Sequence, residues 1–200
     1  MIRSILAASL LLLLPAVQAD AAAVVGKPAP ALELVDANGD RVRLDSFKGK
    51  VVVLEWVNFQ CPFVGKHYGS GNMQSLQKKY TEKGVVWLSV CSSAPGKQGH
   101  VTGAEAKAAM EERGAAPSRF LLDPKGAAGK AYGAKTTPHM FVIDAKGTLV
   151  YNGAIDDRPS TKLADVEGAK SYVSDALDAT LAGKKVELAA TQSYGCSVKY

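Results

Sequence analysis

Two stretches of this chain are apolar almost without interruption, residues 51–57 (VVVLEWV) and residues 85–90 (VVWLSV), and a segment of helical composition lies between them, ending at Lys83-Gly84. Unbroken apolar runs of this length, β-branched at the start, are the pattern of strands covered on both faces. Two such strands joined by a helix form a parallel pair with a right-handed crossover. The unit commits the chain to an α/β domain, a sheet with helices packed on it.

The remaining pattern fits around that unit. Residues 31–35 and 41–44 alternate apolar and polar side chains about Asp36-Ala37-Asn38-Gly39-Asp40, which predicts an N-terminal β-hairpin. Residues 140–143 and 148–151 flank Asp144-Ala145-Lys146-Gly147 as a second hairpin, and residues 120–122 read as a short strand. Helices are expected over residues 104–113, stopped by Gly114, and over residues 127–132, closed by Gly133. A longer one is expected over residues 165–181, where Val166, Ala169, Val173, Ala176, Leu177 and Leu181 share a face ahead of Gly183. The helix after Cys61 contains Gly65, Gly69 and Gly71, each costing about 1 kcal/mol against alanine, so it is expected to break near Gly69 and restart with Asn72 as N-cap. The sum is one domain over residues 26–188, a mixed central sheet flanked by helices, followed by a tail over residues 189–200 that carries Cys196.

The first buried strand leads to Cys61, and Pro62 after it suits the first position of a helix. A thiol at a helix start feels unpaired backbone N–H groups, which favour the thiolate and lower its pKa. On that reading Cys61 emerges at an accessible, electropositive rim and ionises near neutrality. The alternative is a buried cysteine that packs as a small hydrophobe.

The chain opens with Arg3, an apolar run over residues 5–14, the helix breaker Pro15, and small residues at Val17 and Ala19. This predicts a signal peptide, residues 1–19, and export to the periplasm or beyond. No apolar stretch reaches the roughly 20 residues of a spanning helix, and no cysteine follows the leader, so no membrane anchor is expected. Lysine and arginine outnumber acids by 24 to 19 but are scattered, and pairs such as Lys78-Lys79 and Lys184-Lys185 lack interleaved aromatics. Solvated faces account for them without nucleic acid. The three cysteines, Cys61, Cys91 and Cys196, are an odd number in an oxidising compartment, so at least one is unpaired or shared with a partner.

The order of elements, with Leu54-Glu55-Trp56-Val57-Asn58-Phe59-Gln60-Cys61 and the later Thr136-Thr137-Pro138-His139-Met140-Phe141-Val142-Ile143-Asp144, resembles the thioredoxin-like superfamily. Within it the chain is similar to the exported redoxin branch that includes alkyl hydroperoxide reductase and thiol-specific antioxidant proteins. The resemblance implies a thioredoxin-like fold and a thiol-disulfide oxidoreductase, with an antioxidant role, acting on protein or small-molecule thiols and disulfides. It places Cys61 as the nucleophile, Glu55 as the family's buried carboxylate and Pro138 as its cis-proline. Thr137, before that proline, would then offer its backbone to an extended substrate, with His139 near the sulfur.

The sequence departs from the family at two points. The second cysteine of Cys-x-x-Cys is replaced by Val64, so a mixed disulfide at Cys61 must be resolved by an external thiol or by a distant cysteine, with Cys196 favoured over Cys91. The proline and threonine that precede a peroxidatic cysteine are Leu54 and Asn58 here, so a fast peroxidase is not expected, although slow peroxide reduction stays open. Glu55 either faces solvent at an edge or lies beneath the site with a raised pKa, able to shuttle a proton. His67, about 240° around a helix from Cys61, is not expected to converge with it. No cofactor is called for. Gly65 occupies the second position of the copper-delivery motif Cys-x-x-x-Cys, and a non-catalytic metal- or partner-binding protein of the same fold, drawing on Cys61, His139 and Cys196, is the alternative.

Overall fold

A computed structural model describes residues 23–200, so the predicted signal peptide lies outside the described residues. The elements in chain order are β1 (Glu33–Asp36), β2 (Arg41–Arg43), β3 (Val52–Trp56), α1 (Pro62–Gly69), α2 (Asn72–Thr81), β4 (Val86–Cys91), α3 (Gly103–Glu112), β5 (Arg119–Leu122), α4 (Ala127–Tyr132), β6 (Thr136–Thr137), β7 (His139–Ile143), β8 (Leu149–Gly153), α5 (Tyr172–Leu181) and β9 (Cys196–Ser197). Seven strands form one mixed sheet in the order β2-β1-β5-β4-β3-β7-β8. The two apolar runs are its centre: β3 and β4 pair in parallel, with Val52 opposite Val86 and Trp56 opposite Val90. Both predicted hairpins form, β1 with β2 and β7 with β8. The fold is thioredoxin-like, a mixed sheet with helices on both faces.

Alternation along β3 divides the core. Val53 and Val57 point into one layer with Met73, Leu76 and Tyr80 of α2 and Val173, Ala176 and Leu177 of α5. Val52, Leu54 and Trp56 point into the other, with Ala128 and Tyr132 of α4. Trp56 meets Phe141 edge-on and Tyr132 at a tilt, with ring centroids 5.1 and 5.4 Å away, so the strand that leads to Cys61 is clamped by aromatic packing. No helix among the described residues is long and apolar enough to cross a membrane.

Two helical expectations need correction. The break after Gly69 occurs, but the N-cap of α2 is Gly71, in the left-handed region at φ +74°, and Asn72 is the first helical residue. The Asn72 amide instead reaches His67 Nδ1 at 2.8 Å. The helix expected over residues 165–181 begins only at Tyr172: a short 3-10 turn, Leu163–Val166, precedes Gly168 at φ +70°, and the Ser171 hydroxyl caps α5 by accepting from the Ser174 N–H. A serine cap seven residues into an apolar-periodic stretch outweighed the periodicity.

The joint between α1 and α2 rests on Gly71, where an added Cβ would meet nothing within 4 Å, so any penalty for a side chain is conformational. Gly71→Ala is expected to lower stability by about 1 kcal/mol in urea unfolding. An unchanged midpoint would contradict this view of the joint.

Candidate functional site

β3 delivers the chain to a turn over residues 57–60, in which the Cys61 N–H bonds the Asn58 carbonyl at 2.9 Å and Asn58 Oδ1 accepts from the Gln60 N–H at 2.8 Å. Cys61 is the N-cap of α1 in extended conformation and Pro62 holds the first helical position, where its missing N–H leaves nothing unsatisfied. The Cys61 thiol donates to the Thr137 carbonyl at 3.1 Å, and the Thr137–Pro138 peptide is cis, in keeping with the family resemblance. Cys61 is only 1% exposed. The expectation of an open rim is therefore corrected: the sulfur lies at the helix start but is covered.

Part of the cover is the C-terminal tail, which folds back as β9. It pairs antiparallel with β6, Thr136 opposite Ser197 and Thr137 opposite Cys196. Further contacts fix the end of the chain: the Val198 N–H bonds the Lys135 carbonyl at 3.0 Å, and the Tyr200 hydroxyl bonds the Ala134 carbonyl at 2.7 Å. Gly195 has φ +133°, and a Cβ there would overlap the Thr137 carbonyl, so only glycine lets the tail close. The backbone of Thr137, which the resemblance reserves for a substrate, is paired with the chain's own cysteine.

The three cysteines, all reduced, differ in acidity. Burial pushes Cys61 up, but the donors around it, the Cys196 thiol, the Thr137 side chain and the backbone N–H groups of Val64 and Cys196, favour the thiolate and outweigh burial, leaving Cys61 below an ordinary thiol. The Thr137 hydroxyl is buried and has no hydrogen-bond partner among the described residues, which leaves it free to turn to the sulfur when Cys61 ionises. Cys196 moves the other way, to about 11, through burial and the neighbouring Cys61. The two titrate as a pair, and the first proton comes from Cys61. Cys91 is raised by burial, and its thiol is spent on the Gly99 carbonyl at 3.3 Å.

Glu55 is fully buried, and burial raises its pKa against four opposing donors. Oε2 accepts from Trp87 Nε1 and the Ser89 hydroxyl, each at 2.8 Å, and from Gln77 at 3.3 Å, while Oε1 accepts from the Tyr68 hydroxyl at 2.9 Å. None of these bonds reaches Cys61. They tie β3, β4, α1 and α2 together under it. His139 does not face the sulfur either: Nδ1 accepts from the Lys135 N–H at 3.2 Å and Nε2 lies 2.7 Å from Asn152 Oδ1. Burial takes its pKa down to about 4, so it is neutral and supplies no charge to the thiolate. The set Cys61, His139 and Cys196 is not gathered as metal ligands, and no group of three such residues is found among the described residues. Asn58 turns its amide to Gln60 and to the Gln98 carbonyl rather than to Cys61.

The sequence model of the redoxin family matches residues 24–171. The chain belongs to the redoxin family. Among solved structures, this redoxin is similar to an uncharacterised protein from Geobacillus kaustophilus at 30% identity and TM-score 0.76, covering 88% of this chain and 92% of that one. A hypothetical protein from Sinorhizobium meliloti matches at 27% identity and TM-score 0.73, covering 90% and 96%. A candidate thiol:disulfide interchange protein DsbE from Chlorobium tepidum matches at 27% identity and TM-score 0.59, covering 80% and 99%. No curated protein matches. Family and neighbours together support a function of the thiol-disulfide oxidoreductase type.

Sequence reasoning for this redoxin missed the buried pair Lys66 and Asp156 and the half-buried Tyr194 of the tail, which are bonded to one another. The one available signal was Tyr194-Gly195-Cys196, an aromatic and a glycine immediately before a cysteine. Two outcomes follow from the geometry. Replacing Cys196 by alanine removes a donor to the Cys61 thiolate, so the midpoint of the Cys61 alkylation rate against pH is expected to move up; no movement would contradict the pairing. Glu55→Leu leaves the buried donors of Trp87, Ser89 and Tyr68 without an acceptor and is expected to cost about 3 kcal/mol in chemical denaturation, whereas a loss below about 1 kcal/mol would show that the donors re-pair.

Proposed function

We propose that this redoxin is an exported thiol-disulfide oxidoreductase in which Cys61 is the nucleophile and Cys196 the resolving thiol. The observation that carries the reading is the register that sets Cys196 opposite Thr137, whose carbonyl lies 3.1 Å from the Cys61 sulfur. Support for export comes from the leader-like residues 1–19, which precede a single domain and its tail. The substrates are protein or small-molecule disulfides, and an external thiol restores the reduced pair.

In the forward step the Cys61 thiolate attacks one sulfur of a substrate disulfide, forming a mixed disulfide and releasing the other sulfur as a thiolate that takes up a proton. Cys196 then gives up its proton and attacks the Cys61 sulfur, releasing the second substrate thiol. The products are a Cys61–Cys196 disulfide and two reduced substrate thiols, so two electrons pass from the protein to the substrate. The pair is suited to that order. Besides burial, the influences that keep Cys196 protonated come from Cys61 itself, and they vanish once Cys61 is bound in a mixed disulfide. Cys196 therefore becomes more acidic when it is needed as a nucleophile. Thr137 and Pro138 shape the groove in which this exchange occurs.

The burial of Cys61 favours a small oxidant as a second reading. A hydroperoxide oxidises the thiolate to a sulfenic acid and leaves as the alcohol, and Cys196 condenses with the sulfenic acid, releasing water and giving the same disulfide. Asn58 and Leu54 give that route no added help.

The test is exchange with oxidised glutathione followed by intact mass. The wild type is expected to lose two hydrogens and retain no adduct, Cys196→Ala to stop with glutathione on Cys61, and Cys61→Ser to form no internal disulfide. Internal disulfide formation in Cys61→Ser, or full turnover in Cys196→Ala, would overturn the assignment.

A further inference from the structure

Three buried polar side chains and one half-buried tyrosine beside the site have no part in the exchange chemistry. Lys66 and His67 sit on α1, the helix that Cys61 opens, Asp156 follows β8, and Tyr194 lies two residues before Cys196. The Lys66 side chain is 0% exposed and Asp156 3%. The Lys66 ammonium uses all three protons, on Asp156 Oδ2 at 3.3 Å, the Arg158 carbonyl at 2.6 Å and the Tyr194 hydroxyl at 3.1 Å. The Tyr194 hydroxyl donates to Asp156 Oδ1 and lies 3.2 Å from His67 Nε2. Asn72 Nδ2, 2.8 Å from His67 Nδ1, can only donate, so Nδ1 accepts and Nε2 carries the proton toward Tyr194. Burial lowers the His67 pKa to about 4, which agrees with a neutral ring. The Tyr194 oxygen thus donates once and accepts twice, and its capacity is full.

A buried ion pair is costly to assemble, and its best-attested use is to fix register. Here the network closes only when Tyr194 is in place. Without its hydroxyl, Lys66 and His67 each lose an acceptor and Asp156 loses a donor. The ladder between β6 and β9 is two residues long, too short to set register securely by itself. We infer that Tyr194, held by Lys66, His67 and Asp156, is the positioning residue that fixes Cys196 against Cys61 and keeps the tail closed over the sulfur. The inference rests on the proposed exchange between those two thiols.

Tyr194→Phe in the full chain keeps the ring, which packs against Phe63 with centroids 5.9 Å apart, and removes only the hydroxyl. Two readouts are expected to move: the equilibrium constant for the internal disulfide against glutathione falls about tenfold, and alkylation of Cys61 in the reduced protein quickens about tenfold, the scale of lost hydrogen bonds to charged groups. Asp156→Asn is expected to move both in the same direction. Tyr80→Phe, whose hydroxyl serves Lys79 and the Ser174 carbonyl elsewhere, should move neither. Unchanged readouts in Tyr194→Phe, or an equal change in Tyr80→Phe, would overturn the inference. If the wild type forms no internal disulfide the exchange reading fails, and the alkylation rate still decides whether Tyr194 holds the tail.

Discussion

Thr137 is the residue on which the site depends, because its carbonyl takes the Cys61 thiol while its strand pairs with Cys196. One backbone position therefore fixes both sulfurs. Everything around it serves that placement: β3 and the turn over residues 57–60 bring Cys61 from one side, and Gly195, free of a Cβ, lets the tail close from the other. At the position of the helix where the resemblance expects a second thiol the chain has Val64, and the tail brings a different sulfur, Cys196, opposite Thr137. Loop closure over such a distance costs only slowly increasing entropy, and the contacts of residues 189–200 with β8, Lys135 and Ala134 offset it.

Chemical poise at the site comes from neutral groups. Neither His67 nor His139 is charged near neutrality, since burial takes each to about 4. The Cys61 thiolate is favoured by the donors around it, Cys196, Thr137 and the N–H groups of Val64 and Cys196. Cys196, the neighbouring thiol, is itself kept protonated in part by Cys61, so its acidity answers to the state of that sulfur. Glu55 contributes from below by tying α1 and α2 to the sheet through Tyr68 and Gln77, which fixes where α1 begins.

The architecture was legible in the sequence wherever hydrophobic periodicity is strong. The two buried strands, both hairpins, the break near Gly69 and the cis-proline position could be placed from local pattern or from the resemblance. Cys61 at a helix start was equally plain, since Pro62 marks it. What escaped was set by tertiary contact. Residues 189–200 carry no periodicity, so their pairing with β6 and β8 left no mark beyond Gly195, and part of the cover over Cys61 comes from that pairing. Lys66, Asp156 and Tyr194 lie on three separate segments, and each alone reads as a surface residue. His139 looked like a partner for the thiolate because strand alternation does not reveal that Lys135 and Asn152 hold both its ring nitrogens.

Peptide mapping of the oxidised full chain addresses the central claim most directly, by showing which sulfurs join. The account predicts a single linkage between Cys61 and Cys196, with Cys91 recovered as a free thiol beneath the Gly99 carbonyl. A linkage that includes Cys91, or an oxidised chain in which Cys61 and Cys196 both remain unlinked, would contradict it.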